Sequence, residues 1–62
     1  MLNHLAYANN YRYRAAKCRQ SAEGTSSSEF SDCYRRLAEH YELLAKLEED
    51  YVARAVANRL TI

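Results

Sequence analysis

Sixty-two residues, with nine Lys and Arg against eight Asp and Glu, two Cys, one Gly and no Pro or Trp, leave room for one small domain. The near-zero net charge excludes a global field drawing in nucleic acid or anionic membrane, and no apolar run approaches the roughly 18 residues of a membrane span. A chain this short buries only about 60% of its unfolded surface, so stability calls on disulfides, a metal, oligomerisation or very regular helix packing.

The opening MLNHLAYANN lacks a charged segment followed by an apolar one, so no secretory leader is expected. The expected setting is the cytoplasm, where two cysteines are thiols by default.

The spacing predicts a first helix over about residues 3–23. Its seam is His4, Ala8, Tyr11, Ala15, Cys18 and Ala22, at alternating steps of four and three. Small side chains there invite close approach by a second helix, whose Leu and Tyr side chains are expected to fill the gap. Asn9 and Asn10 are weak mid-helix residues, because their amides compete for backbone hydrogen bonds. The helix is therefore expected to begin near residue 3, or at these asparagines with Met1 to Ala8 frayed.

Gly24 is the only glycine and falls where a helix end accepts a residue of positive φ. The turn is expected over 24–27. Ser26 with Glu29 reads as a capping box for the next helix, with Ser28 as the competing cap, and the serine cluster reads as a turn rather than as a phosphorylation site.

The second helix is expected over about 28–60. Phe30, Tyr34, Leu37, Tyr41, Leu44, Tyr51 and Ala55 form its apolar stripe. At 1.5 Å per residue it runs roughly 48 Å against about 30 Å for the first helix, so its far end overhangs. With the turn centred near residues 25 and 26, facing residues have numbers totalling about 51. That register sets Arg19 beside Asp32, Arg12 beside Glu39, Cys18 beside Cys33, His4 near Glu48 and Met1 near Asp50, and leaves Tyr51 to Ile62 without cover from its own chain. Such exposed ion pairs specify alignment more than they stabilise.

The chemistry-bearing residues are few. His4 and Glu48 are expected to form a polar pair that fixes register; an acid and base could also move a proton. Cys18 and Cys33 are either small core thiols or a disulfide and redox pair. Metal chemistry is not expected: Cys33 and His40 lie roughly 10 Å apart along the axis, with His4 further away, too far to share one ion. Nor does any Ser/His/Asp set, phosphate-cradling glycine loop or carboxylate cleft accompany them, so neither an enzyme nor a cofactor is expected.

YRYRAAKCR is the one basic, aromatic segment, and Arg12, Arg14, Lys17 and Arg19 are its candidate nucleic-acid contacts. Residues 1–23 carry four positive charges and one negative, while 24–62 carry five positive and seven negative. Two helices of opposite charge packing together account for the same asymmetry. Leu43 and Leu47, beside the main stripe, and Tyr51, Val52, Ala55, Val56 and Leu60 at its far end are the candidate oligomer interface. A second copy is the simplest cover, giving a two-fold dimer of hairpins in a four-helix bundle.

YRYRAAKCRQSAE, a short turn, and then FSDCYRRLAEHYELLAKLEE resemble a set of short bacterial proteins abundant in alphaproteobacteria. These carry Y-R-x-R-A-x-x-C/L-R-x-x-A-E followed by L-A-E-x-Y/W-E-x-L-A. Tyr11, Arg12, Arg14, Ala15, Cys18, Arg19, Ala22 and Glu23 match the first half, and Leu37, Ala38, Glu39, Tyr41, Glu42, Leu44 and Ala45 the second. The match covers about two thirds of the chain, and three serines stand in the turn where a D-P step is common. The resemblance implies a helical hairpin of uncharacterised function with no catalytic residue to carry over.

The expectation is thus an all-α antiparallel two-helix hairpin, non-enzymatic, self-associating and acting as a small interaction or regulatory module. Two alternatives stand beside it: a nucleic-acid-binding regulator using the basic face of the first helix, and a thiol or metal sensor acting through Cys18 and Cys33. A further, unidentified protein partner is open, and no membrane association is expected.

Overall fold

The computed structural model describes residues 3–60. It consists of α1 (His4–Gly24) and α2 (Ser28–Leu60), joined by Thr25, Ser26 and Ser27. The helices fold back on each other as an antiparallel hairpin 55 Å long and only 17 × 13 Å across. Among the described residues there is no strand, and no helix is long and apolar enough to cross a membrane. The place expected for Met1, and the last two residues of the overhang, lie outside the described residues.

α1 begins at the earlier of its two expected starts. Asn3 has extended backbone, and its side-chain Oδ1 accepts from the Ala6 amide at 3.0 Å, as a helix cap does. The helix then runs unbroken through Asn9 and Asn10. Asn10 does not compete for the backbone, because its Oδ1 accepts from Arg14 Nε one turn on, at 2.8 Å.

Two expectations about the turn are corrected. Gly24 does not adopt positive φ; it is the last residue of α1, and Thr25 ends the helix in extended conformation at φ −95° and ψ 141°. Neither Ser26 nor Ser28 is the cap of α2. Ser27 is: its Oγ accepts from the Phe30 amide at 3.3 Å, and its carbonyl takes the Ser31 amide at 2.9 Å. Thr25 Oγ1 in turn accepts from the Ser27 amide at 3.2 Å, which holds the cap in place. A turn this short needs no left-handed residue, since extended Thr25 already reverses the chain.

The α1 seam is as expected. Ala8, Ala15 and Ala22 are buried, His4, Tyr11 and Cys18 half-buried, and every other α1 residue is exposed. The α2 face is not. The buried residues of α2 are Ser31, Ala38 and Ala45, seven apart like the alanines they face, and among the described residues no large side chain is fully buried. Each follows directly after a residue expected in the stripe, so α2 is turned by about one residue step, roughly 100°. Phe30 is 64% exposed, Leu37 42% and Leu44 40%.

The reason is steric. A seam of methyl groups on α1 leaves no room for Leu or Tyr unless the helices stand apart; small residues on both helices let the backbones close up. The large side chains are then displaced to the flanks. Val52 continues the seven-residue series of α2 where α1 runs out, and it is half-buried, whereas Val56 beyond it is exposed.

The register is kept along the seam and departed from on one flank. Contacts join His4 to Glu48 and Tyr11 to Tyr41, whose numbers total 52, close to the expected 51. Arg12 joins Glu49 and Arg19 joins Glu42, whose numbers total 61. The expected pairs Arg19–Asp32 and Arg12–Glu39 are replaced, and Asp32 lies instead 3.9 Å from Arg35 in its own helix. Arginine side chains lean toward the N-terminus of their helix, which carries Arg12 and Arg19 past the nearer carboxylates to the next ones.

Candidate interaction surface

The alanine seam divides the hairpin into two flanks of different chemistry. On one side, Arg12 Nε and Nη2 donate to Glu49 Oε2 and Oε1 at 3.1 and 2.6 Å. Arg19 makes the same two-pronged contact with Glu42 at 3.3 and 2.7 Å. Paired N–H donors on a planar fork match the two carboxylate oxygens. These hydrogen bonds, with the Coulombic attraction of the same arginines, hold the Glu42 and Glu49 carboxyls below the ordinary range. The same bonds raise the two guanidinium groups. This flank satisfies itself.

The opposite flank is aromatic and apolar. Counting 3.6 residues per turn from the buried alanines, it carries Tyr7, Tyr11 and Cys18 from α1 and Phe30, Tyr34, Leu37, Tyr41 and Leu44 from α2. Tyr11 stacks on Tyr41 with centroids 6.2 Å apart at 24°, and the Arg14 guanidinium lies 6.0 Å from the Tyr41 centroid. Phe30 and Tyr34 line an open groove with Ser21, Gly24 and Thr25, and Tyr7, Tyr11 and Arg14 line another with Ala6 and Asn10. Nothing from the described chain covers the outer sides of these rings and leucines. Of the stripe residues expected to fill the gap beside α1, only Tyr41 is half-buried; Phe30, Tyr34, Leu37 and Leu44 are surface.

At the open end, His4 and Glu48 meet as expected: the Nδ1–H of His4 donates to Glu48 Oε2. The imidazole also packs against Tyr51, with centroids 4.4 Å apart, and meets Tyr7 edge-on at 6.5 Å. The pair closes the end of the seam among tyrosines.

The four candidate nucleic-acid contacts do not form one patch. Arg12 and Arg19 are held by carboxylates on the ionic flank. Arg14 sits on the aromatic side with Asn10 and Tyr41, and Lys17 faces away from α2, with its Nζ 5.5 Å from the Tyr13 centroid.

Cys18 and Cys33 are both free. Cys18 is half-buried, as a seam residue should be, but Cys33 is exposed, so the expectation of two core thiols facing each other is corrected. Ser31 is the buried residue at that end of α2, and two further residues turn Cys33 about 200° away from the seam. Among the described residues no group of His, Cys, Asp and Glu is placed to hold a metal ion.

The residues proposed for an oligomer interface fall in two places. Leu43 and Leu47 are exposed on the face of α2 remote from α1, while Val52, Ala55, Val56 and Leu60 line the overhang together with exposed Tyr51. The aromatic flank was missed as a surface. The recurrence of Ser31, Ala38 and Ala45 in step with Ala8, Ala15 and Ala22 is the signal that would have found it.

No protein-family model matches the chain, and comparison with curated proteins and with solved structures finds no match.

Proposed function

We propose that this chain is a non-enzymatic helical module that works by self-association, two hairpins joining as a two-fold dimer in a four-helix bundle. One observation carries the reading: the interface between its helices is closed by five alanines and Ser31, while Phe30, Tyr34 and the leucines of the described chain stand outside, with only Tyr11 and Tyr41 half-buried among the tyrosines. Alanine burial removes little apolar area, and a chain below about 70 residues rarely gains enough stability from its own core. Large apolar side chains left in water are the mark of a surface that meets another protein.

The resemblance to short bacterial helical hairpins of uncharacterised function agrees with the hairpin and brings no catalytic residue to carry over. A cytoplasmic setting belongs to this reading, since a reducing compartment keeps thiols such as Cys18 and Cys33 free. Sedimentation equilibrium at micromolar concentration tests it: the expected mass is twice that of the chain, and a well-folded species of single-chain mass at every concentration would refute it.

A further inference from the structure

We infer that the aromatic flank, centred on Phe30, Tyr34, Leu37, Tyr41 and Leu44, is the face on which a second copy of this chain docks. The inference rests on the self-association reading and adds which surface carries it. That surface differs from the Leu43 and Leu47 side of α2.

The area left open is the first argument. A compact monomer of 7.2 kDa exposes about 4,100 Å², whereas this chain exposes 5182 Å². The excess, about 1,000 Å², is the size of one partner's share of a standard protein interface, roughly 800 Å². One dimer contact is of this size, and charge decides which face carries it.

Charge is the second. In a two-fold contact each patch meets its own copy, so it must not carry uncompensated charge of one sign. The stretch from Phe30 to Leu44 on this flank has none: the α2 carboxylates Glu42 and Glu49 are on the other side, engaged with Arg19 and Arg12. At its margins one cation and one anion are already occupied, Arg14 over Tyr41 and Glu48 on His4. Leu47, by contrast, has Lys46 and Asp50 close by along the chain and Arg54 two turns on, charges that a contact on that face would have to desolvate. The aromatic flank is therefore the self-compatible face.

Sedimentation equilibrium separates the faces. The double variant Leu37→Glu with Leu44→Glu is expected to sediment at the single-chain mass, and Leu47→Asp at twice that mass. A double variant that stays dimeric, or a Leu47→Asp variant that dissociates instead, overturns the assignment of the face while leaving self-association standing. A wild-type chain that is monomeric throughout removes both. Nitration of the unmodified chain, read by peptide mass spectrometry, needs no variant to fold. Tyr13, 63% exposed on the outer side of α1, is expected to react. Tyr34 is expected to be protected at high protein concentration and to lose that protection on dilution. Equal reaction of the two at all concentrations overturns the proposal.

Discussion

His4 and Glu48, 44 residues apart in the chain, are bonded to each other at the open end of the hairpin, where α1 begins and α2 has more than two turns still to run. The bond ties the first turn of α1 to α2 with the ring of Tyr51 behind it. Glu48→Ala is expected to lower stability by about 1 kcal/mol, the cost of a lost, partly exposed hydrogen bond. Amide exchange should quicken in the first turn of α1 and not around Ala22. Unchanged exchange over residues 5–8 would show that the bond does not hold the helix end.

The seam tolerates no bulk. Ala38 has no exposed surface, so Ala38→Leu must either push α1 away or strain its rotamer, an overpacking cost of about 1–3 kcal/mol. Ala53→Leu, on the exposed side of the overhang, changes helix propensity as little and is the control. Thermal unfolding of the two variants should separate clearly; equal midpoints would argue against close packing at Ala38.

The turn gives two changes of opposite sign. At Gly24 the backbone is not in the left-handed region, and an added Cβ meets nothing within 4 Å. Gly24→Ala is thus expected to stabilise by about 0.4–1 kcal/mol, through loss of freedom in the unfolded chain. Ser27→Ala removes the cap of α2 and is expected to cost about 1 kcal/mol. Chemical denaturation measures both, and destabilisation by Gly24→Ala would return Gly24 to a positive-φ role.

Acid should weaken the ionic flank. Glu42 and Glu49 have folded pKa values lowered by hydrogen bonds from Arg19 and Arg12, so the unfolded chain takes up protons first as pH falls. Their contribution is complete above the unfolded carboxyl value, about 4.3, and is lost as pH drops through the lowered folded values. Because the pairs are exposed, the effect is modest and screened by salt. A melt series from pH 6 to pH 3 should show the double variant Arg12→Gln with Arg19→Gln losing less than wild type; parallel curves would mean the pairs contribute nothing to folding.

Of the four cations in the basic segment of α1, two are held by carboxylates on the ionic flank; the other two, Arg14 and Lys17, stand one turn apart on the outer side, each near a tyrosine ring. Two cations alone release few counterions to drive binding. No mobility shift of duplex DNA or RNA is expected even at about 50 mM salt. A salt-sensitive shift abolished by charge reversal at Arg14 and Lys17 would restore the nucleic-acid reading.

Much of this molecule is local and hence legible in its residues. Helix periodicity, the break at Gly24 and the serines after it set two helices of unequal length, and a four-three spacing picked out the six seam positions of α1. The pairing of His4 with Glu48 followed from a hairpin of any nearby register, since it lies where only one imidazole and few carboxylates can meet. What tertiary packing decided was the rotation of α2. Apolar periodicity ranks side chains by size and points Phe30, Leu37 and Leu44 inward, but two helices in contact minimise the distance between backbones, which only Ser31, Ala38 and Ala45 permit. That one turn of about 100° moves most of the stripe from core to surface, turns Cys33 outward and directs Arg12 and Arg19 to Glu49 and Glu42.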